Sequence, residues 1–171
     1  LHFLSQSPDE EIDVAGHTLS GSLLFEGAGG SWTLQGPLSI TGSLQLVNGG
    51  LSSGGFAISC ASLSAAPANQ GSLLLGASQL TIGNGNKASV GINTERLTLE
   101  ADQAVFELTG FESAFSVKGS SAARFKAVNF SAEGGRATLN GTDDLAHQFG
   151  EVTFAGDAKL SGLLDIGRLS L

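Results

Sequence analysis

Residues 31–63 read SWTLQGPLSITGSLQLVNGGLSSGGFAISCASL, and apolar side chains recur there at every second position in short bursts. Trp32 and Leu34 form one burst, Leu38 and Ile40 the next, then Leu44 and Leu46, then Phe56, Ile58 and Cys60. Each burst ends within a few residues at Gly36, Gly42, Gly49-Gly50 or Gly54-Gly55. Period two places the apolar side chains on one face of an extended strand, and glycine lets the backbone turn. The unit is a short strand followed by a corner. Three or four residues cannot offset the entropy of their own ordering, so such units are stable only when many are stacked. Stacking them, with backbone hydrogen bonds running to the units above and below, makes a β-solenoid.

The pattern extends in both directions. Leu1–Ser20 is the least regular part and reads as an N-terminal coil or cap, with Ile12 and Val14 before Gly16 as its first trace of the repeat. Leu19–Phe25 supplies another burst, and Ser64–Gln70, with Pro67, reads as a loop because proline cannot donate to a ladder. Leu73 and Leu75, Leu80 and Ile82, then Val90 and Ile92 continue the alternation. Between them Gly83-Asn84-Gly85-Asn86 is a turn. Further on, Arg96–Gly110 aligns over Ala127–Gly141, which matches Leu97 with Val128 and Phe106 with Ala137. Val152 and Leu169 extend the same series. Its uneven spacing predicts an all-β, irregular, right-handed parallel β-helix forming a single segment over 1–171. The rival is an antiparallel β-sandwich or jelly roll, which also has short strands and frequent turns. Very short strands, and corners built from single or double glycines, favour the helix.

Composition narrows the function classes. Eight Lys and Arg stand against 16 Asp and Glu, for a net charge of −8, and the cations are scattered. A phosphate-binding surface needs concentrated positive charge, so nucleic acid is not an expected partner. No apolar run approaches the roughly 20 residues that cross a bilayer as a helix, so no membrane insertion is expected in this segment. Leu1 is not a start residue and the alternation Leu163, Ile166, Leu169, Leu171 runs to the last position. The segment is therefore expected to be covalently continuous with flanking domains, and any signal or anchor to lie outside it. Cys60, the one cysteine, alternates with Phe56 and Ile58 and is expected to be a buried, unreactive thiol.

No catalytic, cofactor or metal site is expected, and any ligand-binding residues stay unassigned. His2, His17 and His147 lie in separate turns without partners at zinc-ligand spacing. Asp143-Asp144 with His147 is the nearest thing to an acid–base constellation, but it reads first as a turn followed by an exposed histidine. Asp9-Glu10-Glu11 lacks the alternating oxygen donors of a calcium loop and reads as a solvated turn. Gly27–Gly30 is not placed between a strand and a helix, so it does not read as a phosphate cradle. Asn129-Phe130-Ser131 and Asn140-Gly141-Thr142 match the N-glycosylation acceptor pattern, which is short and frequent by chance and which a bacterial source would make meaningless. Phe111–Ala127 and Thr142–Gly150 read as long corner loops, where ligand contacts would fall.

The tract Trp32, Leu34, Gly36, Leu38, Ile40, Gly42, Leu44, Leu46, Gly49, Leu51, Gly55 and Phe56 resembles segments of large bacterial cell-surface and secreted proteins of the Bacteroidetes type. The likeness extends loosely to Val152–Leu171. It implies an adhesin-like segment at the cell surface or outside the cell, some such proteins being exported by the type 9 secretion system or linked to gliding. Its partners would be other surface proteins or glycans. Two other functions suit the same scaffold: a carbohydrate-active enzyme or carbohydrate-binding module, and a polymerising cytoskeletal protein of the bactofilin type.

Overall fold

The computed structural model describes residues 1–142 and 145–171. The first level holds β1 (His2–Phe3), β2 (Glu10–Ile12) and β3 (Thr18–Leu19), and the second β4 (Leu23–Phe25), β5 (Ser31–Leu34) and β6 (Leu38–Ile40). Above them lie β7 (Ser43–Leu46), β8 (Gly49–Ser52) and β9 (Ile58–Cys60), then β10 (Ser62–Ala65), β11 (Gly71–Leu74) and β12 (Gln79–Ile82). The fifth level contains β13 (Lys87–Asn93), β14 (Leu97–Glu100) and β15 (Val105–Leu108). The last three contain two strands each: β16 (Glu112–Lys118) with β17 (Arg124–Phe130), β18 (Arg136–Gly141) with β19 (His147–Phe154), and β20 (Asp157–Ser161) with β21 (Leu164–Ser170).

Strands at the same position in successive levels pair in parallel. They build a wall of eight strands from β1 to β20, a wall of five from β2 to β14, and a second wall of eight from β3 to β21. Every strand pair among the described residues is parallel, so the chain is a β-solenoid of about seven turns and not a sandwich. Inward positions hold one apolar column after another: Leu23, Leu44, Leu63, Val90 and Phe115 on the first wall, and Leu38, Ile58, Leu80, Phe106 and Val128 on the third. Strand spacing of about 4.8 Å also sets ring spacing. Phe3 stacks on Phe25, and Phe130 on Phe154, with centroids 4.7 Å apart in each pair.

The middle wall stops for a covalent reason. Between β13 and β15 the chain has residues 94–104, room for a corner, a strand and a second corner. Between β16 and β17 only residues 119–123 remain, too few for a strand at this rise. The corner after the middle wall repeats as a tight turn, with His17, Phe56, Ser78 and Ala104 N–H donating to the carbonyls of Val14, Ser53, Leu75 and Ala101 at 2.8 to 3.0 Å. Gly54 and Gly55 have φ of +61° and +81° there, a region side-chain-bearing residues rarely adopt.

Outward positions carry small polar groups that bond between adjacent levels. Ser62 Oγ donates to Ser43 Oγ at 2.7 Å, and Ser161 Oγ to Asn140 Oδ1 at 2.9 Å. Lys87, Glu112, Arg136 and Asp157 stand in one register column with alternating sign. A slip of one level would set like charges side by side, so the column helps fix register, although the exposed Lys87–Glu112 pair at 3.6 Å adds less than about 1 kcal/mol.

Several expectations change. Phe56 shares the parity of Ile58 and Cys60, yet β9 begins at Ile58 and Phe56 sits in the corner turn, 36% exposed. Gly49-Gly50 does not end a burst but opens β8, where a Cβ on Gly49 would meet the Gly27 and Gly30 carbonyl oxygens and then the Trp32 ring. Leu97 does not align with Val128. Val128 pairs with Phe106, and Leu97 belongs to the middle wall, because the sequence alignment ran across a level where that wall is missing. Ala137 likewise pairs with Ser113 and not with Phe106. Val128, Val152 and Leu169 do stack in register. Ser64 and Ala65 belong to β10, so the loop expected over Ser64–Gln70 starts later. Phe111–Ala127 is mostly strand, with only residues 119–123 between β16 and β17.

Candidate binding surface

Polar side chains converge where the middle wall ends. Arg124, Gln148 and Asp165 occupy successive levels in register and point outward, since their neighbours Phe125 and Phe149 are buried. Asp102 and Gln103, in the corner turn one level below, complete the lining of an open groove of about 370 Å³. Gln103 Nε2 donates to Asp102 Oδ2 at 3.4 Å. Gly150 and Gly167 leave bare backbone on its floor. The groove continues past Asp102 and Arg124 into a recess of about 220 Å³ beside Glu100 and Ala122, above the last strand of the middle wall. Arg124 makes no ion pair with a described residue. The lining thus offers one guanidinium, two carboxylates and two amides at a rise of about 4.8 Å per level, groups that exchange hydrogen bonds with hydroxyl-rich or peptide ligands. Sequence reading missed this column because Asp102, Arg124, Gln148 and Asp165 fall at unequal intervals. Only the register shows that they are neighbours.

Of the histidines singled out from sequence, His2 lies in β1, His17 in the corner before β3 and His147 at the start of β19. His147 was expected to be exposed. It is fully buried at the start of β19, where its Nδ1 accepts the Ala123 N–H at 3.1 Å and satisfies a backbone donor in the 119–123 connection. The other two members of that constellation, Asp143 and Asp144, lie outside the described residues. The second expected long loop, Thr142–Gly150, is shortened because β19 starts at His147. His2 Nε2 contacts the Glu26 carboxylate near the first level, and His17 is exposed in the first corner. Glu10 accepts from Ser5 Oγ at 2.9 Å and the Asp9 N–H donates to Ser31 Oγ, so the acidic triplet is tied into the first levels. No group of three metal-ligating side chains occurs among the described residues. None of their buried side-chain polar atoms lacks a hydrogen-bond partner. No helix among them is long and apolar enough to cross a membrane.

Cys60 is buried, as its alternation predicts, and burial pushes its thiol up to about 12 against the partly compensating backbone hydrogen bonds at Leu44 and Ser62. The native thiol should therefore resist a thiol-exchange reagent that labels the unfolded chain at once. Because the ordinary value is 9.0, the unfolded state loses its proton first on raising the pH. The contribution of this thiol to stability should hold below about pH 9 and decline from there towards pH 12, by up to about 1.4 kcal/mol per pH unit. Denaturant titrations of the native chain and of Cys60→Ala should diverge in that window, and parallel pH profiles would contradict the assignment.

Comparison of the chain with protein-family models, with curated proteins and with solved structures finds no match. The class defined by geometry is the parallel β-solenoid, and the fold stands on strand register alone.

Proposed function

We propose that this chain is a structural and adhesive segment of an extracellular bacterial surface protein, a stiff β-helical stalk that carries binding groups on its outer walls. The observation that carries the reading is the uninterrupted apolar column from Phe25 and Trp32 to Phe154, closed on every level by parallel ladders. Seven turns at about 4.8 Å give a rod of roughly 35 Å, and more turns lengthen it without a new core design. The likeness of the Trp32–Phe56 tract to Bacteroidetes-type surface proteins supports the extracellular setting, with type 9 export as the corresponding route. A second reading, a carbohydrate-binding module on the same scaffold, is favoured by the groove at Asp102, Arg124, Gln148 and Asp165.

Both readings meet one experiment. The purified chain is applied to a glycan array and to immobilised bacterial surface proteins, and is assayed for turnover of acidic polysaccharides. Retention on a surface protein without turnover supports the adhesive stalk. Glycan retention abolished by Arg124→Ala supports the module, and turnover would overturn both.

A further inference from the structure

Three asparagines precede glycine: Asn48, Asn84 and Asn140. In such a pair the glycine nitrogen can attack the asparagine carboxamide, because no Cβ obstructs it, but only if the side chain folds over its own following peptide. In two of the three it does not. Asn140 lies in β18 with its Oδ1 held by Ser161 Oγ of the next level, and Gly141 is buried. Asn48 Oδ1 is held from the next level by Asn69 N–H and Nδ2 at 3.1 and 3.0 Å, and Gly49 is buried. Both carboxamides therefore reach along the rod, away from the nitrogen that would attack.

Asn84 differs. Its Oδ1 accepts from the backbone N–H groups of Asn86 at 3.2 Å and Lys87 at 2.9 Å, which folds the carboxamide back over the Gly85 peptide. The Asn84 N–H donates to the Lys87 carbonyl at 3.1 Å, and the next level anchors the turn through Phe111 N–H to Gly85 O and Glu112 N–H to Asn86 O. Asn84 and Gly85 are both exposed, so water reaches them.

We propose that the Gly83–Asn86 turn is a self-modifying site at which Asn84 converts to aspartate and isoaspartate. The Gly85 nitrogen, losing its proton to water, forms a bond to Asn84 Cγ; negative charge collects on Oδ1, and the two N–H donors already aimed at that atom stabilise it. The C–N bond to the side-chain nitrogen breaks as that nitrogen takes a proton back from water, and ammonia leaves, giving a five-membered imide. One water then opens either carbonyl of the imide. Opening on one side leaves an aspartate, and on the other an isoaspartate with one extra carbon in the main chain. Either product places a new carboxylate beside Lys87, at the foot of the alternating charge column.

The test is incubation of the chain, folded and in guanidinium chloride, in heavy-oxygen water at neutral pH, followed by peptide mass spectrometry and isoaspartate detection at all three pairs. In the unfolded chain the three should react at similar rates. In the folded chain Asn48 and Asn140 should slow by at least about tenfold while Asn84 keeps or exceeds its unfolded rate, and Gly85→Ala should suppress the reaction. Slowing of Asn84 on folding to the same degree as the other two would overturn the proposal.

Discussion

Phe115→Ala should destabilise the chain by about 3 to 5 kcal/mol, read as a lower denaturant midpoint in circular dichroism. Phe115 is fully buried and projects from the first wall to rings of the third. Its centroid lies 5.2 Å from Phe106, 5.1 Å from Phe125 and 6.0 Å from Phe149, all edge-on at 79° to 87°. Those rings sit on β15, β17 and β19, so one side chain ties three levels of one wall to the opposite wall. Each edge-to-face pair contributes about 0.5 to 1.5 kcal/mol beyond burial, and truncation removes three while leaving a void that a rigid ladder cannot close. The site lies where the middle wall has ended and the two long walls meet directly. A loss below about 1 kcal/mol would mean that the ring cluster does not join the walls.

Gly110→Ala should be at least as damaging, whereas Gly91→Ala should be neutral or stabilise the chain by up to about 1 kcal/mol. A Cβ on Gly110 would stand 2.3 Å from the backbone nitrogen of Ala88 and the carbonyl carbon of Lys87, main-chain atoms of the level below that cannot swing aside. The fifth and sixth levels would have to separate at that corner, breaking ladder bonds on both sides. Gly91 lies within β13, a strand of the first wall, and a Cβ there meets nothing within 4 Å. There the substitution mainly lowers the entropy of the unfolded chain. Equal effects of the two replacements would show that the levels are not packed as closely at Gly110 as the backbone distances require.

Both predictions bear on what the sequence could disclose. Strand-and-corner alternation was legible from Ser31–Leu63 because inward and outward positions differ in polarity. Most of its pairs occupy the expected face: Trp32, Leu34, Leu38, Ile40, Leu44, Leu46, Ile58 and Cys60 are all buried. Phe56 escaped because parity counts residues and cannot see where an extended segment starts. The Leu97–Val128 alignment failed for a related reason: a lost strand shortens a turn without marking the sequence, and both residues are ordinary inward apolar ones. His147 could not be placed from its neighbours because its burial depends on the Ala123 N–H, 24 positions away in sequence and adjacent in the stack. The Asp102–Asp165 groove was hidden in the same way.

Loss of the middle wall after β14 has a mechanical corollary. A three-sided prism resists flexing almost equally in every direction, whereas a laminate of two faces yields far more readily across its thin dimension than edgewise. Under lateral load, bending should therefore concentrate beyond residue 118 and follow a single plane, so that the rod acts as a fixed post at one end and a leaf spring at the other.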